Sequence, residues 1–255
     1  MAKFKLFNFE KQKPDLMEHL PKKGFKRFLI LYWVNFWKIS TVSLWSLLLF
    51  APVITMGFAH AGMTNVARNT ALGSHIFGMI DYIDTIKKNW KQSLPAGIIN
   101  ILIAAALLYF IVLCFFNASS MAMVFVLIAL VELYAFFTLV QHYLWHLIVT
   151  FQISLPGAYL TAIRLSAIGF KRNLLALLAL LAFDALLVIV VLLPFPKLQL
   201  LLLMILICIM FGYRSYAVSY CIFPVIREHI LVPYYKAHPE ADDDLRRYVH
   251  IEDDL

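Results

Sequence analysis

Four stretches of this chain are apolar for about as long as a helix needs to cross a bilayer: residues 96–116, 121–150, 173–194 and 198–223. A hydrocarbon core about 30 Å thick takes roughly 20 residues of helix. No water-facing surface could be built from such runs, because every side of each helix would be apolar. The composition agrees: 62% of the 255 residues are hydrophobic and 15% charged, and the mean hydropathy is +0.81. A soluble domain is nearer half apolar and a quarter charged. The runs are continuous rather than alternating, which excludes a transmembrane β-barrel. The expected fold is therefore all-α, a polytopic transmembrane helical bundle.

The linkers set how the spans pair. "NASS" at 117–120 and "FPK" at 195–197 are too short for anything but antiparallel hairpins. A fifth apolar stretch, 28–56, is interrupted by Lys38. The domain reading is a basic tail over 1–27, a helical domain over 28–223 with spans near 39–58, 96–116, 121–150, 173–194 and 198–223, and an acidic tail over 224–255.

Charge orients the chain. Lys3, Lys5, Lys11, Lys13, Lys22, Lys23, Lys26 and Arg27 precede the first apolar stretch. Arg68, Lys87, Lys88 and Lys91 lie in the next connection, and Arg164, Lys171 and Arg172 in the one after 150. The two short linkers carry only Lys197. Loops rich in Lys and Arg stay cytoplasmic, so the long connections and both termini are expected inside. Aromatic-basic clusters then sit on the cytoplasmic threshold of each span: "NFWKIS" at 35–40, "KKNWKQ" at 87–92 and "GFKRN" at 169–173. There Lys and Arg meet anionic headgroups and Trp lies in the interface.

With both ends inside, the number of crossings must be even. Residues 24–37 then read as an in-plane interfacial helix carrying Tyr32, Trp33, Phe36 and Trp37. Residues 39–50 descend, Pro52 breaks the helix, and the small residues after it return as a half-span. The alternative is one long crossing over 28–56, so the total is five to six. Residues 79–89 and 155–172 read as two cytoplasmic amphipathic connections, each leading into a hairpin, a pattern that suggests two related halves.

"RFLILYWVNFWKISTVSLWSLLLFAPVITMG", "AGMTNVARN" and "DTIKKNWKQSLPAGIIN" together resemble the YesL family of bacterial integral membrane proteins, the domain of unknown function 624. The likeness rests on Trp37-Lys38, on the Pro-Val-Ile-Thr-x-Gly turn at 52–57 and on the cluster at 87–92, and it weakens toward Pro224. It implies a protein of the bacterial cytoplasmic membrane, encoded beside importers and hydrolases for oligosaccharides. No catalytic activity comes with it.

Charged residues inside the spans are the candidates for a site. Glu132, Asp184 and Arg214 fall mid-span, where an ionisable group is costly and is either paired or functional. Arg214 is expected beside Asp184 or Glu132. His142 and His146 share a helix face, but Tyr143 stands where a zinc protease needs Glu, and two ligands do not make a metal centre, so interfacial histidines are expected. No metal, no cofactor and no catalytic residue is expected: nucleotide-binding GxxxxGK[ST] and nucleophilic GxSxG motifs are both missing. The net charge of +7 lies against spans, which favours anionic lipid over nucleic acid as partner.

Lys87, Lys88, Trp90, Lys91, Arg164, Lys171 and Arg172 are the candidate cytoplasmic docking residues. The expected function is a non-enzymatic accessory or regulatory component of carbohydrate uptake, in contact with permease subunits. The alternatives are a permease subunit, or an independent small-solute transporter using Glu132 and Asp184. Ile76, Phe77 and Gly78 stand where a sugar permease's ATPase-docking segment would carry Glu-Ala-Ala.

Overall fold

A computed structural model describes residues 24–117, 120–151 and 153–238. Within them the chain is helical and has no strand. The elements are α1 (Phe25–Val34), α2 (Phe36–Phe50), a 3-10 turn (Val53–Thr55), α3 (Met56–Ala71), α4 (Met79–Phe116), α5 (Met121–Thr150), α6 (Leu155–Ile168), α7 (Phe170–Val191) and α8 (Pro196–Ile226). A π turn (Arg227–Leu231) carries α8 without a break into α9 (Val232–Ala237). Four helical segments are long and apolar enough to cross a membrane: Met79–Phe116, Met121–Thr150, Phe170–Val191 and Pro196–Ala237. The protein is a multi-pass membrane protein built as an all-α bundle.

The N-terminal region is a broken hairpin rather than one span over 39–58. Asn35 interrupts the helix by returning its side-chain amide to the Leu31 carbonyl at 3.1 Å, so α1 ends before Trp37. Phe36 and Trp37 thus belong to α2, and not to the preceding helix as the 24–37 reading had it. Pro52 then stops α2, since its ring leaves no N–H for the next helical bond. The Thr55 hydroxyl ties the turn to the carbonyls of Leu49 and Pro52.

Small residues make α3 the buried centre of the bundle. Gly57 faces Gly97 of α4 so closely that a Cβ on Gly97 would lie 2.7 Å from the Gly57 Cα. A Cβ on Gly62 would meet the Tyr82 ring at 2.6 Å. Such close backbone approach replaces the hydrophobic effect as the source of helix association in lipid. Around α3 lie α2, α4, α5 and α8, with two clusters of buried side chains between them.

Three boundaries differ from the sequence reading. The amphipathic stretch after Gly78 and the span at 96–116 form one 38-residue helix, α4, with Pro95 inside it. Its first turn is held by the Asp81 carboxylate, which accepts from the Phe77 N–H at 2.8 Å. By contrast α6 is a separate helix lying along the buried end of α5, so the two proposed halves are not built alike. Lastly, the helix persists past 224: Leu231 and Tyr235 pack into the core, and the acidic tail can begin only after them. The rest of that tail, like residues 1–23, lies outside the described residues.

Burial is concentrated at one end. In α5 the buried residues run from Val140 to Thr150, while 121–139 are exposed or half-buried. Only 11% and 6% of the most apolar stretches of α4 and α5 are buried. The α4–α5 hairpin therefore stands out from the bundle as an arm. The α7–α8 hairpin has its own small cluster, Phe183, Val190 and Leu206.

Candidate functional site

A cavity of about 270 Å³ opens where α2, α3, α5, α7 and α8 converge. Its aromatic wall is built from stacked rings. Phe50 lies flat on Phe211 with centroids 4.5 Å apart and meets His60 edge-on at 5.0 Å. His60 in turn stacks on Trp145 at 5.1 Å, with the planes 13° apart. The polar wall consists of Thr64, His142, His146, Arg214, Ser215 and Ser219.

Helical spacing explains the clustering. His142, Trp145 and His146 are related by three and four residues and share the α5 face turned to α3 and α8. Ser215 and Ser219 stand one turn apart on α8, and the Ser219 hydroxyl lies 3.3 Å from His146 Nε2. Two wall groups are buried without a partner: the Trp145 indole N–H and the His146 Nδ1. Trp145 is 4% exposed and His146 1%. A buried polar group without a partner costs about 1–3 kcal/mol.

Arg214 donates from its guanidinium to Asp184 Oδ1 at 2.6 Å, joining α8 to α7. Glu132 takes no part: it is exposed on the α5 arm, and among the described residues no cation pairs with it. The structure thus brings together two of the three mid-span charges, and their pair borders the cavity. His142 and His146 are inside the bundle rather than at the interface, because the α5 face they share is the one packed against α3 and α8. Among the described residues no three His, Cys, Asp or Glu side chains gather as a metal centre would require. The three cysteines are free, with Cys114 and Cys221 buried.

Arg68 was counted with the loop charges, yet it is 5% exposed. It donates to Thr150 Oγ1 and to Asn65 Oδ1, each at 2.6 Å, and lies 5.9 Å over the Phe223 ring. Asn65 continues the network to Thr85 Oγ1 at 2.7 Å, tying α3 to α4. The four-residue spacing of Asn65 and Asn69 around Arg68 carried that signal, but only with a partner helix in view. A similar lock joins α6 to α4: Tyr159 donates to Asn100 Oδ1 at 2.9 Å, and burial pushes its phenol up to about 12.

Of the docking candidates, Lys87, Lys88, Trp90, Lys91, Arg164 and Lys171 are exposed and Arg172 is half-buried. The first four lie on the body of α4 rather than in a loop, and Lys91 Nζ stands 5.9 Å over the Trp90 ring. Together they form a basic rim at the buried end of the bundle.

No curated protein and no solved structure matches this chain. A family model described as "Protein of unknown function, DUF624" matches residues 28–111, which run from α1 through most of α4. That stretch holds the Trp37-Lys38 entry, the Pro52 turn, the small-residue helix α3 and the "KKNWKQ" cluster. Over residues 28–111 the chain is similar to the DUF624 domain, the domain of the YesL family.

Proposed function

We propose that this chain is a non-enzymatic accessory or regulatory component of carbohydrate uptake in the bacterial cytoplasmic membrane, with both termini cytoplasmic. It would hold permease subunits through the α4–α5 arm and the basic rim. The observation that carries this reading is the placement of Glu132. It stands 11 residues after the start of α5, about 16 Å along the helix and so near the middle of a ~30 Å core. Its neighbours on that face, Phe125, Ile128 and Phe136, are exposed apolar side chains.

A mid-membrane carboxylate costs about 2.5–3.5 kcal/mol even on insertion scales. An arm that only met lipid would have no reason to carry one. A partner helix bringing a Lys, Arg, His or hydroxyl donor to that face offsets the cost. The rim adds a second contact of matching kind for an acidic cytoplasmic surface. The link to carbohydrate comes from the family resemblance, whose members are encoded beside oligosaccharide importers and hydrolases. The transporter reading built on Glu132 and Asp184 is less well supported, since Asp184 is engaged by Arg214 and Glu132 is not among the cavity residues.

Co-purification from native membranes in mild detergent tests the proposal. The expected result is a permease pair and its ATPase retained by the parent chain and released by Glu132→Gln. A chain recovered alone, or a complex indifferent to Glu132→Gln and to reversal of Lys87, Lys88 and Lys91, would count against it.

A further inference from the structure

We infer that the cavity between α3, α5 and α8 is a binding site for a small neutral ring compound bearing hydroxyl or carbonyl oxygens, of monosaccharide size. This goes beyond the docking role and does not rest on it, because the arm and the cavity share no residue named for either.

Size comes first. About 270 Å³ is just under the roughly 300–1,000 Å³ of pockets for drug-sized ligands. That space suits one six-membered ring with its substituents.

Charge comes next. Arg214 is the one cation among the cavity residues other than histidine, and Asp184 neutralises it at 2.6 Å. No carboxylate lines the cavity, so a cation finds no counter-charge, and an anion would have to compete with Asp184 for the guanidinium. A neutral occupant meets neither penalty.

Chemistry then narrows the class. The Trp145 indole can only donate, and it is buried with no acceptor. His146 presents a second unmatched ring nitrogen. Thr64, Ser215 and Ser219 supply hydroxyls that donate or accept. The Phe50–Phe211 and His60–Trp145 stacks line the same cavity and supply aromatic surface. A ring with one face of C–H groups and a periphery of oxygens meets both walls at once. A hydrocarbon would leave the donors unmatched, and a chain of waters would leave the aromatic faces wet.

The test uses the full chain in lipid nanodiscs and follows tryptophan fluorescence and thermal unfolding. D-glucose, D-galactose, D-xylose and myo-inositol are titrated, with acetate and methylammonium as charged probes. Saturable binding of at least one neutral ring, with a raised Tm, is expected. Trp145→Phe keeps the aromatic face and removes the donor, and should weaken that binding at least tenfold. Thr64→Val, close to isosteric, should weaken it several-fold; both variants should unfold at or near the parent Tm. The inference is overturned if no neutral ring saturates the protein, if only a charged probe does, or if binding survives unchanged in both variants. A Trp145→Phe chain that fails to fold leaves the decision to Thr64→Val.

Discussion

At the residue scale, the Arg214–Asp184 pair decides how much the intramembrane charges matter to stability. The two side chains are 38% and 43% exposed on the chain, and both lie in helices long and apolar enough to cross a membrane. Truncating one partner strands the other in a poor solvent, at about 2.5–3.5 kcal/mol by insertion scales. Arg214→Ala should therefore lower Tm in detergent by several degrees, and Asp184→Asn by less, because the amide still accepts from the guanidinium. Equal melting of Arg214→Ala and the parent would place the pair in water. The charges themselves were legible in the sequence, since Asp184 and Arg214 interrupt runs of leucine and isoleucine. Which of the two carboxylates would meet Arg214 was not. That choice depends on the register of α7 against α8, fixed by Phe183 lying on Tyr213 at 4.8 Å and by the Tyr213 hydroxyl donating to the Ala179 carbonyl at 3.2 Å. The cavity was less legible still. His60, Trp145 and Ser219 come from three helices, and nothing local in any one of them announces the others.

At the scale of elements, the helix breaks followed from local chemistry and the helix continuities did not. Pro52 stops α2, and the Thr55 hydroxyl takes up the Leu49 carbonyl so that the chain turns there. Pro95 leaves α4 unbroken, which is tolerated in membrane helices when surrounding groups take up the lost bond. Its neighbours Ser93, Ala96 and Gly97 are all buried against the α3 turn or the core. Composition alone cannot separate those two prolines; packing does. Gly97 makes the packing testable. A methyl group there would lie 2.7 Å from the Gly57 Cα and 2.8 Å from its nitrogen, both backbone atoms that cannot swing aside. Gly97→Ala should thus push α3 from α4 and cost about 1–3 kcal/mol as overpacking. Gly157→Ala is the control, since its nearest contact is the Ser154 side chain at 3.1 Å. Thermal unfolding of both in detergent checks this; comparable losses would mean that α3 is not held by close backbone approach.

For the whole molecule, the broken hairpin is what reconciles charge with topology. Eight basic side chains precede Phe28, and carrying them across a membrane is what orientation bias opposes. The structure supplies the alternative: α2 enters, the chain turns at 51–55, and α3 returns antiparallel to it, bringing Arg68 back toward the end of α5 where it meets Thr150. Lys38 near the start of α2 donates to the Ile76 carbonyl at 2.6 Å, just after α3 ends. Both ends of the hairpin therefore lie at one end of the bundle, the same end as the basic rim. From there α4 and α5 make one out-and-back pair, and α7 and α8 a second. This arrangement, taken with the charge bias, favours the proposed placement of both termini on the cytoplasmic side. The expected outcome is that single cysteines at positions 12 and 250, in a cysteine-free background, stay unlabelled by a membrane-impermeant thiol reagent on intact cells and react once the cells are opened. Labelling at position 12 alone would make α2 and α3 parts of a single crossing, and the lysine-to-carbonyl contact that closes the hairpin could not then exist.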